Sequence, residues 1–109
     1  ADPARRRATY QDVLDAPPQL VAEVIFGTLH TTPRPRVRHA RASSRLGSRL
    51  GAPFDEGVGG PGGWVILDEP ELHLGLDPDI LVPDLTGWTR ERMHVSGDDA
   101  FITLPPDWV

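Results

Sequence analysis

Proline and glycine interrupt this chain so often that only short elements can form: twelve prolines and eleven glycines fall among 109 residues. Proline cannot donate to a helix or a ladder, and glycine gives up the most conformational freedom on ordering. The interruptions are spread along the chain and make neither a low-complexity tract nor a repeat. With 39% hydrophobic residues there is enough apolar material for one small core but not two. The expectation is one domain of brief strands and few helices.

The densest run of apolar and acidic residues lies between Gly63 and Trp88. Trp64-Val65-Ile66-Leu67 is short, continuous and rich in β-branched and aromatic residues, which suits a buried strand. Leu72 and Leu74 alternate with Glu71 and His73, the period of a half-buried strand, and Pro70 between the two runs predicts a bulge or bend. Ile80-Leu81-Val82 is a third strand, ending in Pro83-Asp84. A carboxylate at the end of a buried strand is held rigidly, as a metal site requires.

Upstream, Ala1 to Arg7 reads as a basic, mobile tail, and Thr9 as the N-cap of a short helix, Tyr10 to Ala16, stopped by Pro17-Pro18. Leu20 to His30 has a strand pattern with Gly27 at a turn or bulge. Glu23 is the only charge in it, so its carboxylate must reach water, a partner or a metal. A second helix is expected from about Arg36 to Leu50, with Thr32 as cap and Pro33 and Pro35 in its first turn. On it Arg38, Arg41, Arg45 and Arg49 fall along one stripe, a pattern of either a solvated face or a phosphate-contacting one. The glycine-rich loop Gly57 to Gly63 lacks the lysine-serine/threonine ending of a phosphate loop and precedes a strand, so it is a connection. Thr86-Gly87-Trp88 is expected to turn the chain, Thr89 to Met93 to make one helical turn, and Ser96 to Asp99 to be a loop. Phe101 to Leu104 forms a last apolar segment before Pro105-Pro106-Asp107-Trp108-Val109, the start of a further strand.

Composition excludes several chemistries. The chain has no cysteine, hence no disulfide, thiolate metal site or cysteine nucleophile. No apolar run approaches ~18 residues, so no membrane span is expected, and no signal-peptide pattern is visible; the expected compartment is cytoplasmic. All eleven basic residues are arginine, so a lysine-dependent step cannot run on this chain alone. The net charge of −5 argues against general coating of nucleic acid but leaves room for a local basic patch. Asp68, Glu69, Glu71 and His73 could be read as a hydrolase cluster, although turn and strand packing explain them equally well.

Five words in one order carry a resemblance: Val21-Ala22-Glu23-Val24-Ile25 with Gly27-Thr28-Leu29-His30; Arg38 through Leu46; Gly62-Gly63-Trp64 followed by Ile66 through Gly75; Val82-Pro83-Asp84-Leu85 with Gly87-Trp88 and Arg90-Glu91-Arg92-Met93; and Pro106-Asp107-Trp108-Val109. From about Thr9 to Val109 the chain resembles the bacterial Uma-two family of the PD-(D/E)xK nuclease superfamily. The resemblance implies a restriction-endonuclease-like α/β fold over residues 9–109, behind a tail of residues 1–8. Its sheet would be mixed and mainly antiparallel, flanked by helices and incomplete at the C-terminus. Strands at Leu20 to His30, Trp64 to Leu67, Glu71 to Gly75 and Ile80 to Pro83 would share one sheet, with the second helix packed on one face.

By the same resemblance, Glu23 and Asp84 would be catalytic carboxylates holding Mg²⁺ or Mn²⁺, with Asp79 the competitor of Asp84, and the partner would be nucleic acid, which the phosphate-contacting reading of Arg38, Arg41, Arg45 and Arg49 would serve. Two departures accompany it. The second acid and the lysine of the (D/E)xK half are missing, and Phe26 stands where an acid or amide is expected before Gly27. The implied function is therefore a metal-dependent endonuclease in impaired form. The alternative is a non-catalytic remnant or a homo-oligomeric module that self-associates through an uncovered sheet edge.

Overall fold

The computed structural model describes residues 6–94 and 97–109. Helix α1 spans Tyr10–Asp15, strands β1 and β2 span Leu20–Ile25 and Thr28–Pro33, and helix α2 spans Val37–Leu50. A π-helical segment, Gly51–Glu56, continues α2; strands β3 (Trp64–Asp68), β4 (Leu72–Leu74), β5 (Asp79–Leu81) and β6 (Leu85–Thr89) follow. The fold is α/β. Four strands form an antiparallel sheet in the order β2-β1-β5-β4, two more form an antiparallel pair β3-β6, and helices flank them. Among the described residues no helix is long and apolar enough to cross a membrane.

Several expectations need correction, though the turn expected at Gly27 is present. It makes the run from Leu20 to His30 a hairpin, because Phe26 and Gly27 both take positive φ, 49° and 78°. That combination is the tight two-residue turn whose twist matches paired strands. Thr32 does not cap α2, since it lies in β2 and the N-cap is Arg36. The physical reason is the pair Pro33 and Pro35: a residue before proline is pushed to extended backbone, so the helix cannot begin until the second proline is passed. Trp64 to Leu67 belongs to the β3-β6 pair and not to the four-stranded sheet. Glu69, at φ 49°, and Pro70 break the chain between β3 and β4 and send the two strands to different sheets.

Thr86-Gly87-Trp88 is not a turn but the middle of β6, paired with β3 from Trp64↔Thr89 to Asp68↔Leu85. The glycine belongs there because an added Cβ would press within 3.3 Å of the Ile66 Cδ1. Thr89 to Met93 does close one turn, with the N–H groups of Arg92 and Met93 both donating to Thr89 O at 3.1 Å. Ile102 bridges to Leu72 in parallel, and Trp108 bridges to Gly87 in antiparallel.

Of the tail read over residues 1–8, residues 1–5 lie outside the described residues. Arg6 pairs with Asp12, and the Ala8 N–H donates to Gly27 O at 2.8 Å. Ser96, in the loop expected before Asp99, is likewise outside them.

The core is built from Ala22, Val24, Val65, Leu72, Ile80, Leu85 and Trp88. Trp88 is the largest fully buried side chain, and its indole N–H donates to Leu104 O at 3.0 Å, which is how a buried tryptophan avoids an unpaired donor. Helix α2 contributes no buried residue. It lies against the π-helical segment and β3, with the apolar Val37 and Leu46 left in solvent.

Candidate nucleic-acid interface and acidic cleft

A cleft of about 350 Å³ opens where β1, the end of β2, the segment after β5 and the start of α2 converge. Val21, Glu23, Thr32, His39, Glu69 and Asp84 are among its lining residues. Glu23 reaches it because β1 alternates: Ala22 and Val24 are buried on one face of the strand while Glu23 stands on the other. One Glu23 oxygen, Oε2, accepts the Val82 N–H at 2.9 Å, which satisfies a carboxylate that the strand could not bury alone. Asp84 follows two residues later, and its backbone O accepts the Glu69 N–H at 3.0 Å. Its Oδ1 lies 3.2 Å from His39 Nε2, both side chains more than half exposed, so water screens this pair heavily.

Glu23 and Asp84 thus line one cleft. Asp79 is not among its lining residues. Its Oδ1 accepts the Phe26 N–H at 2.8 Å and ties β5 to the β1–β2 turn, at the opposite end of β5 from Asp84.

A divalent cation of the Mg²⁺ type takes oxygen ligands in strict octahedral geometry. Glu23 and Asp84 each have one oxygen engaged, and among the described residues no group of three or more His, Asp or Glu side chains is arranged to hold a metal ion. Two carboxylates hold such an ion only with water or phosphate oxygens completing its shell.

The arginines stand differently. Arg38, Arg41, Arg45 and Arg49 are all exposed on α2, and none makes a hydrogen bond or ion pair among the described residues. At 100° per residue the stripe lies roughly a third of a turn around the helix from the side carrying His39, Ser43, Leu46 and Leu50. From Val24 to Phe54 the sequence holds six arginines and no acid, so positive charge is concentrated on this helix within a net-acidic chain.

The Glu71–His73 pair is brought together, with His73 Nε2 2.9 Å from Glu71 Oε2. However, the His73 ring is buried, stacked on Phe101 at 3.7 Å and 8°, and met edge-on by Tyr10 at 4.5 Å. Asp68 is exposed, and Glu69 lines the cleft of Glu23 as well as one that it shares with Glu71, which His73 does not line. The four residues do not assemble a hydrolase site; the histidine is a packing element.

Sequence reasoning did not single out His39 or Glu69 as neighbours of Glu23. The available signal for Glu69 was its place before Pro70 at the break between strands. His39 carried none beyond lying among arginines. No protein-family model, curated protein or solved structure matches the chain.

Proposed function

We propose that this chain is a nucleic-acid-binding domain of restriction-endonuclease-like form, which binds phosphate through α2 and does not complete hydrolysis by itself. The observation that carries the reading is the exposed stripe Arg38, Arg41, Arg45 and Arg49, unpaired among the described residues, on a helix whose flanking sequence has no acid from Val24 to Phe54. Guanidinium forks match phosphate oxygens and bind them without neutralising partners of their own. The stripe extends roughly 16 Å at the rise of an α-helix, long enough to follow several phosphates of one strand. The resemblance to the Uma-two family supports the same partner class, and the Glu23–Asp84 cleft beside His39 lies at the N-terminal end of the same helix.

Binding of a labelled duplex and a labelled single strand, followed by fluorescence anisotropy across a salt series, tests the reading. Each phosphate contact contributes about 0.9 to the slope of log affinity against log salt on duplex DNA, so replacing all four arginines by glutamine should flatten it by roughly 3–4. A slope unchanged in the quadruple variant, or no binding at low salt, would refute the proposal.

A further inference from the structure

We infer that β2 is a self-pairing edge, and that two copies of this chain join antiparallel through it, with His30 of one copy directly opposite the partner's His30. This interface is separate from the edge of β6 that Trp108 approaches, and it does not depend on nucleic-acid binding.

Among the described residues the sheet order β2-β1-β5-β4 leaves β2 at an edge, and all six of its residues are exposed. Edges of this kind are normally blunted by charge, by a bulge or by a covering element. Thr28-Leu29-His30-Thr31-Thr32 carries no charged residue, is rich in β-branched side chains and pairs in unbroken register with β1. Only Pro33, its last residue, resists extension of the ladder.

The register with β1 determines which backbone groups are free. Ile25 and Thr28 flank the two-residue turn and are the first hydrogen-bonded pair, so Glu23 with His30 and Val21 with Thr32 are bonded pairs too. Leu29 and Thr31 lie at the intervening positions, and their N–H and C=O groups point away from β1. Pro33 is also at an outward position, where its missing N–H costs β1 nothing.

A second β2 fits this edge symmetrically. When Leu29 of each copy is placed opposite the partner's Thr31, both outward N–H groups of each copy meet a carbonyl, giving four bonds across the two-fold. Shifting the register to centre on Thr31 keeps four bonds but presses the Pro33 ring against the partner's Leu29 carbonyl, while centring on Leu29 carries Thr31 past the end of the strand. The favoured register makes His30 the symmetric residue, in a non-bonded pair whose Cα atoms are about 4.5 Å apart. The edge therefore needs no partner of other chemistry: it carries no charge to be complemented, and its donors and acceptors match its own sequence reversed. Each α2 then leaves from opposite ends of the paired strands, which keeps the start of one arginine helix away from the other.

The absence of cysteine makes the test direct. Single substitutions His30→Cys, Thr28→Cys and Thr32→Cys are introduced into the full chain and oxidised under mild conditions, beside sedimentation of the unmodified chain over a concentration series. A Cα separation of about 4.5 Å falls within the range a disulfide spans. His30→Cys should cross-link to dimer at least tenfold faster than either threonine variant alone, while a mixture of Thr28→Cys with Thr32→Cys should cross-link efficiently. The unmodified chain should show a concentration-dependent dimer. Thr31→Pro removes an outward N–H that β1 does not use, so it should yield a folded monomer by circular dichroism; Thr31→Lys is the second variant if proline disturbs the hairpin. Equal cross-linking at the three positions, or a monomer at every concentration, would overturn the inference.

Discussion

The carboxylate of Asp79 accepts the backbone N–H of Phe26 at 2.8 Å, fastening the first strand's turn to the start of β5 from 53 residues away. It holds a bulky side chain in a conformation that non-glycine residues avoid, since Phe26 has φ 49° and is largely exposed. Such a residue costs on the order of 1–3 kcal/mol and persists only when its surroundings impose it. Phe26→Asn keeps the turn with a residue that tolerates positive φ, and should raise stability by about 0.5–1 kcal/mol in urea unfolding. Asp79→Ala removes the acceptor and should lower it by about 1 kcal/mol. If Phe26→Asn is destabilising, the aromatic ring packs against something that its exposure does not reveal.

Tyr10 is the sole tyrosine, so its titration can be followed by absorbance without ambiguity. Burial raises its phenol above the ordinary value, and the Glu71 carboxylate adds to the rise by hydrogen bonding and by its charge. The protonated form is the one that folding favours. The stability this contributes is therefore fully present below the ordinary value near ~10 and is lost as pH rises through the raised one. Glu71→Gln should move the midpoint down only part of the way, because burial is the largest cause. A midpoint at the ordinary value in the unmodified chain would contradict the packing of Tyr10 against His73 and Phe101.

Asp12 provides the opposite sign. The Arg6 guanidinium, with Nη1 at 2.8 Å, holds its carboxyl well below the usual carboxylate range, and the Thr9 N–H adds to this from the same distance. A depressed folded value contributes stability above the ordinary value of about 3.9, lost as pH falls from there toward the lower one. The pair is exposed, so solvent screening keeps the amplitude small. Carboxyl NMR should show Asp12 titrating below the ordinary aspartate value, and Arg6→Ala should return it most of the way. An unchanged Asp12 in that variant would mean that the helix N-terminus alone depresses it.

What the sequence disclosed, and what it hid, follows from the range of the interactions. The period-two placement of Ala22 and Val24 on one face of β1 and Glu23 on the other was legible, because alternation is local. So was the break at Pro70. The assignment of β3 to a separate pair was not legible, since Gly87 looks like a turn residue until Ile66 and Trp108 are known to flank it. The site divides likewise. Glu23 could be marked as a charge that needed a partner, but the partner is the Val82 N–H, 59 residues on. His39 beside Asp84 depends on where two prolines let α2 begin, and only the folded chain reveals that.

Hydrolysis of the kind the resemblance implies uses carboxylates to fix a divalent cation and a lysine-type group to position water and offset phosphate charge. Losing one positioned charge of this sort typically costs on the order of 10²–10³ in rate. This chain has no lysine, and its cleft brings Glu23 and Asp84 together without a three-residue metal-holding group among the described residues. The arginines of α2 cannot substitute as bases because guanidinium stays protonated. His39 can accept a proton and lies 3.2 Å from Asp84, but one exposed imidazole supplies neither the missing charge nor a fixed water. The chain is expected to show no plasmid nicking above background with Mg²⁺ or Mn²⁺, while still shifting the plasmid at low salt through α2. Asp84→Ala and His39→Ala, run beside it, separate the outcomes: nicking that is present in the unmodified chain and lost in either variant would establish a working site in this cleft and overturn the expectation.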